Sequence, residues 1–313
     1  MTDPGGTASV ASVTDLHHDG AGTGSDVDAA VQAADAAARA AGVQVREVSE
    51  LGELDAVYRL YADIWRPDPM NPPVTSDLLR ALSKAGNYVT GAFDGEELVG
   101  ACVGFFSAPA DAALHSHIAG VSAAARGRDV GFALKVHQRA WSMLRGVSAV
   151  AWTFDPLVRR NAYFNVVKLA AKPSEYLANF YGGMHDAINA GDDSDRLLMY
   201  WRLNAAAVVA ACVGTTTPAD AQTERASGAS VALDVSALGA PLAGQGHAGR
   251  LLVAVPKDIE RLRLSDPGCA KDWRAAVREV LGGLLVDGAR VTGFDRSGWY
   301  VLDRGHTNSG DDE

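Results

Sequence analysis

The chain has 313 residues, of which 48% are hydrophobic and 21% charged, and this composition is that of a soluble globular protein with one or two domains. Its net charge of −10 argues against nucleic acid as a partner, because nucleic-acid binding depends on a basic surface. No segment approaches the ~18 uninterrupted apolar residues that cross a bilayer, and the N-terminus has neither the basic start nor the apolar run of a signal peptide. Three scattered cysteines, Cys102, Cys212 and Cys269, fit buried thiols in a reducing compartment. We therefore expect a cytoplasmic protein with no membrane partner.

Both ends of the chain are predicted to be acidic tails. Residues 1–42 hold six Asp and one Arg, begin with a stretch rich in Gly, Ser and Thr, and end in an Ala-rich one. The first part has the composition of a disordered segment, and the alanines over 26–42 favour a loose helix that has little to bury. Residues 305–313 form a second tail, which ends in Asp-Asp-Glu.

Strand and helix patterns alternate over residues 43–203. Polar–apolar alternation predicts strands, apolar residues at helical spacing predict helices, and Asp94-Gly95 predicts a hairpin turn. The predicted elements are strand 43–49, helices 50–65 and 76–86, strands 87–95, 97–107 and 113–121, helix 130–146, strand 148–156, helix 159–170 and strand 195–203. We therefore predict an α/β domain with a mixed sheet over residues 43–203.

The sequence changes in character after Leu203. Residues 204–248 are rich in Thr, Ala, Gly and Ser and have no lasting period, which predicts a linker. Residues 249–304 contain a strand, a broken helix and a further strand or hairpin, which predicts a small βαβ-like unit.

The stretch VSAAARGRDVGFALK, residues 121–135, places two arginines and two glycines where a strand leads into a helix. The first turn of a helix exposes N–H groups, glycines let a ligand approach the main chain, and arginines add full positive charge. Proteins bind phosphate or pyrophosphate with this combination. The same residues fit a tight strand-to-helix turn in which Asp129 is the N-cap and the arginines are solvated.

The order of elements and this loop together resemble the GNAT superfamily of acyl-CoA-dependent N-acyltransferases, whose loop signature is Val-x-Pro-x-x-Arg-Gly-x-Gly-x-Gly. Four residues match the signature and two depart from it: Val121, Arg126, Gly127 and Gly131 match, whereas Ala123 replaces the proline and Asp129 replaces a glycine. A register shifted to Arg128 keeps Asp129 away from the pyrophosphate but loses the spacing to Val121. We adopt the first register.

Further segments narrow the resemblance to a bacterial branch of predicted GNAT acyltransferases with a C-terminal extension. These segments are LHSHIAGV, AWTFDPLVRRNAYFN, NFYGGMHDAIN, SDRLLMYWRL and the C-terminal VAVPKDIERLRLSDPGCAKDWRAAVREVL. Some members resemble N-acyl- or N-succinyl-amino-acid transferases. The resemblance covers residues 43–304 apart from the predicted linker, and it implies a GNAT fold with a small C-terminal appendage.

For the reaction, the resemblance implies acetyl-CoA or another acyl-CoA as co-substrate and no metal. An acetyl or other short acyl group, succinyl included, would pass directly to the amine of a small molecule, with an amino acid as the expected acceptor. A non-catalytic acyl-CoA-binding sensor or scaffold and a protein N-acetyltransferase stay open as alternatives, and a homodimer stays open as the oligomeric state. The residues implied to bind the co-substrate are Gly120, Val121, Arg126, Gly127, Arg128, Gly131, Phe132 and Asn161.

Candidate catalytic groups lie on the strand before the loop. His115, at the position of the family's glutamate, and His117 are two residues apart and share a face of the strand, and a histidine titrates near neutrality. The pair fits a general base, two hydrogen-bonded core histidines, or two ligands of a zinc site whose third ligand is not evident. The family's tyrosine acid corresponds to Asn165 or Val166, which cannot donate in its place. Tyr181, or Tyr163, is a substitute acid or a packing residue.

Charged residues after the strand at 148–156 are candidates for substrate binding. Asp155 lies at its end, where ligands of open α/β sheets commonly bind, and Arg159 and Arg160 begin the next helix. Either arginine could bind the 3′-phosphate of CoA or an acceptor carboxylate, or could simply be solvated. Arg196 is another carboxylate-binding candidate, with pairing to Asp193 or Asp195 as the alternative.

Overall fold

The computed structural model describes residues 24–67, 72–108, 113–182, 192–246 and 248–304. The chain divides into two compact units between Val150 and Ala151. None of the described helices is long and apolar enough to cross a membrane. The predicted tail segments 1–23 and 305–313 lie outside the described residues.

In the described part of the first unit, four antiparallel strands in the order β1-β2-β3-β4 are accompanied by four α-helices. The elements are α1 (Gly24–Ala41), β1 (Gln44–Glu47), α2 (Leu51–Trp65), α3 (Ser76–Lys84), β2 (Tyr88–Asp94), β3 (Glu97–Phe106), β4 (Ala113–Val121) and α4 (Val130–Leu144). Each predicted strand and helix between residues 43 and 146 is present. The predicted hairpin joins β2 to β3, and its Gly95 has the positive φ of +60° that the turn requires.

Apolar faces of α2 and α3 build the core of the first unit against β2 and β3. Leu54, Val57 and Tyr61 recur at helical spacing in α2 and are at most 1% exposed. The side chain of Thr75 accepts a hydrogen bond from Leu78 N–H at 3.2 Å and so starts α3 at its N-cap. Because the packing fixes α2 against the sheet, β4 is held where it leads into the candidate loop.

Helix α1 packs against α4, and here the structure differs from the predicted loose tail. Ala30, Val31 and Ala34 lie on one side of α1 and are at most 5% exposed. Alanine has little area to bury, but its small side chain lets a second helix approach closely. The prediction of weak packing did not take this close helix–helix approach into account.

The second unit contains a three-stranded arrangement, in the order β5-β7-β6, and a five-stranded sheet, in the order β11-β12-β10-β8-β9. Its elements are β5 (Ala149–Phe154), α5 (Arg159–Tyr163), β6 (Lys172–Leu177), β7 (Arg196–Arg202), α6 (Ala206–Cys212), α7 (Ala221–Ala226), β8 (Ser230–Val235), β9 (Pro241–Ala243), β10 (Arg250–Ala254), α8 (Ile259–Ser265), α9 (Pro267–Val277), α10 (Gly283–Val286), β11 (Arg290–Asp295) and β12 (Trp299–Asp303). The segments Phe164–Lys168 and Arg278–Gly282 are π-helical turns. Strand β8 runs parallel to β10, whereas β12 with β10, β11 with β12, β6 with β7 and β8 with β9 are antiparallel, so the predicted mixed α/β class is confirmed.

Two predictions about the C-terminal third differ from the structure. The predicted linker 204–248 contains α6, α7, β8 and β9, which are too short to show a lasting period in the sequence. The predicted βαβ-like unit 249–304 is part of the five-stranded sheet, in which β10 pairs antiparallel with β12 and β11 forms a hairpin with β12. The division between the units falls inside β5, within the predicted domain 43–203, whose boundaries stay a prediction.

Candidate functional site

The loop between β4 and α4 has the main-chain geometry that the predicted anion site requires. Gly127 and Asp129 have positive φ angles of +83° and +60°. The first hydrogen bond of α4 runs from Ala133 N–H to the Asp129 carbonyl at 3.0 Å, so the N–H groups of the preceding turn point out of the helix end. Asp129 stands at the N-cap position of α4, but its side chain makes no cap hydrogen bond, and its backbone takes the left-handed conformation that glycine adopts most easily. Aspartate tolerates that conformation at a cost of about 1 kcal/mol.

Open space surrounds the glycines of this loop. A Cβ atom added to Gly127 would meet nothing within 4 Å, and one added to Gly131 would meet only a Val121 methyl at 3.7 Å. Arg126 is exposed, and the ion pairs between described residues do not include it. Phe132 is half-buried in the first turn of α4. A ligand can therefore approach the main chain here beside one full positive charge.

The second arginine of the loop has other partners. Arg128 was predicted to bind the co-substrate, but its guanidinium forms an ion pair with Asp94 at 2.7 Å. Because a carboxylate already neutralises it, Arg128 does not add a second net charge to the loop.

Gly120, which was also predicted to bind the co-substrate, has a packing role. A Cβ atom at this position would lie 2.7 Å from Ile64 Cδ1 and 2.7 Å from Trp65 Cη2. Glycine therefore lets the end of α2 pack directly on β4. Val121, the last residue of β4, pairs with Gly100 of β3.

The structure brings His115 and His117 together with Phe105 on β3 and β4. The ring of Phe105 lies 5.1 Å from that of His115 and 5.8 Å from that of His117, and the two imidazoles are 6.3 Å apart. The pairing of β3 with β4 skips one residue: Val103 faces Ile118 and Gly104 faces Ser116. His117 is therefore the extra residue of a β-bulge, a feature that re-aims side chains.

Both imidazoles favour the neutral form. Burial lowers the pKa of His115 below its usual value, and the neighbouring His117 and Lys135 lower this pKa further. Burial also lowers the pKa of His117, although a hydrogen bond with the carbonyl of Pro73 opposes this. A neutral imidazole can accept a proton at neutral pH. Among the residues that the structure describes, no group of three or more His, Cys, Asp and Glu could hold a metal ion.

Asp155 was predicted to bind substrate, but it belongs to a buried ion cluster. Arg263 Nη2 lies 2.6 Å from its carboxylate, and Arg274 binds it through two nitrogens at 2.8 and 2.9 Å. The same two arginines contact Asp192, at 3.1 and 2.9 Å. The arginines hold the pKa of Asp155 well below its usual range even though burial opposes this. Asp155 is thus committed to structure.

The arginines that begin α5 also have internal partners. Arg159 Nη1 donates to the Ser297 carbonyl at 2.9 Å, and Arg160 binds Glu260 through two nitrogens at 2.5 and 2.6 Å. The ligand-binding role of Arg159 or Arg160 stays a prediction. Asn161 lies half-buried in α5.

Tyr181 and Arg196 lie together. The guanidinium of Arg196 sits 5.3 Å from the centre of the Tyr181 ring, and the Tyr181 hydroxyl is 3.2 Å from Thr153 Oγ1. Arg196 is buried and donates to the Asp195 carbonyl at 2.8 Å, whereas the carboxylates of Asp193 and Asp195 pair with Arg278.

Of the two residues matched to the family's tyrosine acid, Asn165 and Val166, the first has a structural hydrogen bond. Asn165 is buried, and its Oδ1 accepts a hydrogen bond from the Trp152 indole at 3.2 Å. The hydroxyl of Tyr163, the other substitute, accepts from Arg296 at 3.2 Å.

Sequence reasoning missed Phe105 and a buried polar cluster around Lys135. Lys135 Nζ donates to Ser116 Oγ at 3.0 Å and to Gln138 Oε1 at 2.7 Å, and its residue is 4% exposed. Burial lowers the pKa of Lys135 to about 8, and the nearby Cys102 opposes the shift. A polar position of an amphipathic helix normally faces water, so the sequence contained no signal for this cluster.

The chain is similar to three solved structures, of which the first two below are N-acetyltransferases. An N-acetyltransferase from Staphylococcus aureus Mu50 is 16% identical, with a TM-score of 0.42 over 52% of this chain and 99% of that chain. The ribosomal-protein-S18-alanine N-acetyltransferase from Escherichia coli is 12% identical, with a TM-score of 0.40 over 52% of this chain and 96% of that chain. RimJ from Mycobacterium smegmatis, solved with CoA-disulfide, is 17% identical, with a TM-score of 0.43 over 56% of this chain and 92% of that chain. No family model and no curated protein matches the chain. The function is therefore proposed from this chain's own residues.

Proposed function

We propose that the chain is an acyl-CoA-dependent N-acyltransferase of the GNAT superfamily, which moves an acetyl or other short acyl group directly to the amine of a small molecule. The observation that carries the proposal is the β4–α4 loop. Its positive-φ residues turn the main chain so that the first N–H groups of α4 face outward beside open space at Gly127 and Gly131. A diphosphate accepts hydrogen bonds from such N–H groups, and Arg126 supplies a full positive charge.

The histidine pair supplies the proton acceptor. The amine nitrogen attacks the thioester carbonyl, the carbon–sulfur bond breaks with its electron pair on sulfur, and the amine proton passes to neutral His115. A lowered pKa keeps His115 unprotonated and ready to act near neutral pH. We propose direct transfer without an acyl-enzyme. Cys102 is unsuited as a nucleophile, because it is fully buried and burial raises the pKa of its thiol.

The acceptor that we propose is an amino acid, and Arg196 is our candidate for its carboxylate. The Arg196 guanidinium lies 5.3 Å from the centre of the exposed Tyr181 ring, and arginine binds carboxylates through charge-assisted hydrogen bonds. A succinyl donor and a peptide N-terminus as acceptor are the competing substrates in the experiment below.

The second candidate function is a non-catalytic acyl-CoA-binding module. The position of the family's tyrosine acid favours it, because it corresponds to Asn165, whose side chain accepts a hydrogen bond from Trp152, or to Val166, which has no proton to donate. CoA thiolate is a good leaving group, however, so an N-acyltransferase can work without a dedicated acid.

The test combines titration calorimetry with acetyl-CoA and succinyl-CoA and a thiol-release assay over a panel of amino acids, other amines and short peptides. We expect binding together with CoA release that depends on the acceptor. Arg126→Ala should raise the KM for the donor about 10-fold, the effect of one charge-assisted hydrogen bond, and leave the KM for the acceptor unchanged. The control is Arg59→Ala, which removes an exposed arginine of α2. Binding without CoA release under every acceptor selects the binding module, and absence of binding refutes both functions.

A further inference from the structure

Arg128 joins three segments of the first unit. Its Nη1 donates to Asp94 Oδ2, at the end of β2, at 2.7 Å. Its Nη2 donates to the carbonyl oxygens of Ala41 and Gly42, at the end of α1, at 3.2 and 3.1 Å. All three acceptors lie outside the β4–α4 loop, so the side chain ties this loop to α1 and to the β2–β3 turn.

The end of α1 is built to receive this guanidinium. Gly42 has a φ of +65°, its N–H bonds the Arg39 carbonyl at 3.1 Å, and the N–H of Val43 bonds the Ala38 carbonyl at 3.0 Å. This C-terminal motif leaves the last carbonyls of the helix without an internal donor and with partial negative charge. A Cβ atom at Gly42 would lie 3.3 Å from Arg128 Nη2, so glycine also gives the arginine room.

The contact acts on the part of the loop that the proposed function uses. Arg128 stands between Gly127 and Asp129, the two residues with positive φ, and α4 begins at Val130. Because α1 also packs along α4, both the loop and the helix after it are held from the same side.

We propose that Arg128 is a positioning residue: held by Asp94 and the end of α1, it fixes the main chain of residues 126–131 in the conformation that binds the diphosphate of acyl-CoA. It does not contact the diphosphate, which leaves Arg126 as the charged group of the loop that does. This inference rests on the proposed function.

Removal of the Asp94 side chain distinguishes this role from direct phosphate binding, because the two roles predict changes of opposite sign in the Kd for CoA. If Arg128 bound phosphate, Asp94→Ala would free its charge and lower the Kd for CoA. As a positioning residue, Arg128 loses its anchor, and we expect the Kd to rise about 3- to 5-fold, the effect of one part-exposed ion pair. Arg128→Ala should raise the Kd about 5- to 10-fold, since two further hydrogen bonds are lost. The double variant should bind as Arg128→Ala does, because both changes break one contact.

The measurement is titration calorimetry of the full chain with CoA, with thermal unfolding to verify that each variant folds. The control is Glu53→Ala, which breaks an ion pair with Arg46 of 2.6 Å in the same unit and should leave the Kd within about 2-fold. Arg128→Lys is the second variant. It keeps the charge but lacks the planar fork that reaches three acceptors, so it should bind like Arg128→Ala.

Three results overturn the inference: an unchanged or lower Kd in Asp94→Ala, wild-type affinity in Arg128→Lys, or additive effects in the double variant. If the wild-type chain binds CoA and any of these results appears, only the positioning role fails. If the wild-type chain binds no CoA, the proposed function fails, and the positioning role fails with it.

Discussion

Replacement of Lys135 by methionine should remove a pH dependence of the free energy of unfolding that the buried ammonium causes. The folded-state pKa of Lys135 is about 8, against an ordinary value of 10.5, because the ammonium is buried. Between these two values the unfolded chain binds more protons than the folded one, so the stability of the wild type rises with pH in this window. The penalty for the buried charge is fully present below the folded pKa and is relieved as the pH rises toward the unfolded pKa. At pH 7 the lowered pKa destabilises the folded state by about 3 kcal/mol, and about 2.5 kcal/mol of this destabilisation is gone by pH 10.

Methionine has no charge to bury, but it leaves Ser116 Oγ and Gln138 Oε1 without this donor, at a cost of about 1–2 kcal/mol that does not depend on pH. We therefore expect Lys135→Met to be more stable than the wild type by about 1–2 kcal/mol at pH 7 and to lose that advantage by pH 10. Urea denaturation followed by far-UV circular dichroism at both pH values measures the difference. Lys84→Met, at an exposed position, is the control. A difference between Lys135→Met and the wild type that stays constant with pH would refute the reasoning.

Three further predictions concern the ion cluster, the base and the α2 contact. Arg274→Ala leaves Asp155 with one of its two arginine partners in a buried site, and the thermal unfolding of the chain should show a loss of about 3–5 kcal/mol. His115→Ala should lower kcat about 100-fold. It should also remove the fall in kcat/KM below pH 6.5 that its lowered pKa predicts for the wild type, and a pH–rate profile checks this. Gly120→Ala forces a methyl group against Trp65 and should destabilise the chain by about 1–3 kcal/mol in urea titrations, and wild-type stability would contradict the contact.

The sequence predicted the first unit well because its signals are local. The hairpin at Asp94-Gly95, the apolar spacing of α2 and the Arg/Gly loop each depend on a few neighbouring residues, and each appears in the structure. The prediction missed the short helices and strands of the predicted linker, because they do not depend on local signals. Strand β8 has six residues and is defined by its parallel neighbour β10, about twenty residues further along the chain. No local pattern encodes that pairing.

The candidate site was predicted unevenly, because a sequence shows which charges are present but not what they pair with. Arg128 and Asp155 looked available to a ligand from their positions beside a glycine and at a strand end. Their partners, Asp94 and Arg274, are 34 and 119 residues away. The roles of Arg126 in co-substrate binding and of the histidine pair as the base stay predictions. Ion pairs between residues so far apart in the sequence can be identified only in the folded structure.

The alanines of α1 carry a more general consequence for the loop. Judged by buried area, Ala30 and Ala34 contribute little to the stability of a helix, and this is why the sequence predicted a loose tail. Judged by distance, they allow the backbone of α1 to approach α4, and α1 then ends where its carbonyls reach Arg128. Larger apolar side chains at these positions would bury more area but would push α1 outward and move its last carbonyls away from the guanidinium. The small side chains therefore let the end of α1 lie within reach of Arg128, which connects the N-terminal helix to the main chain that we propose binds CoA.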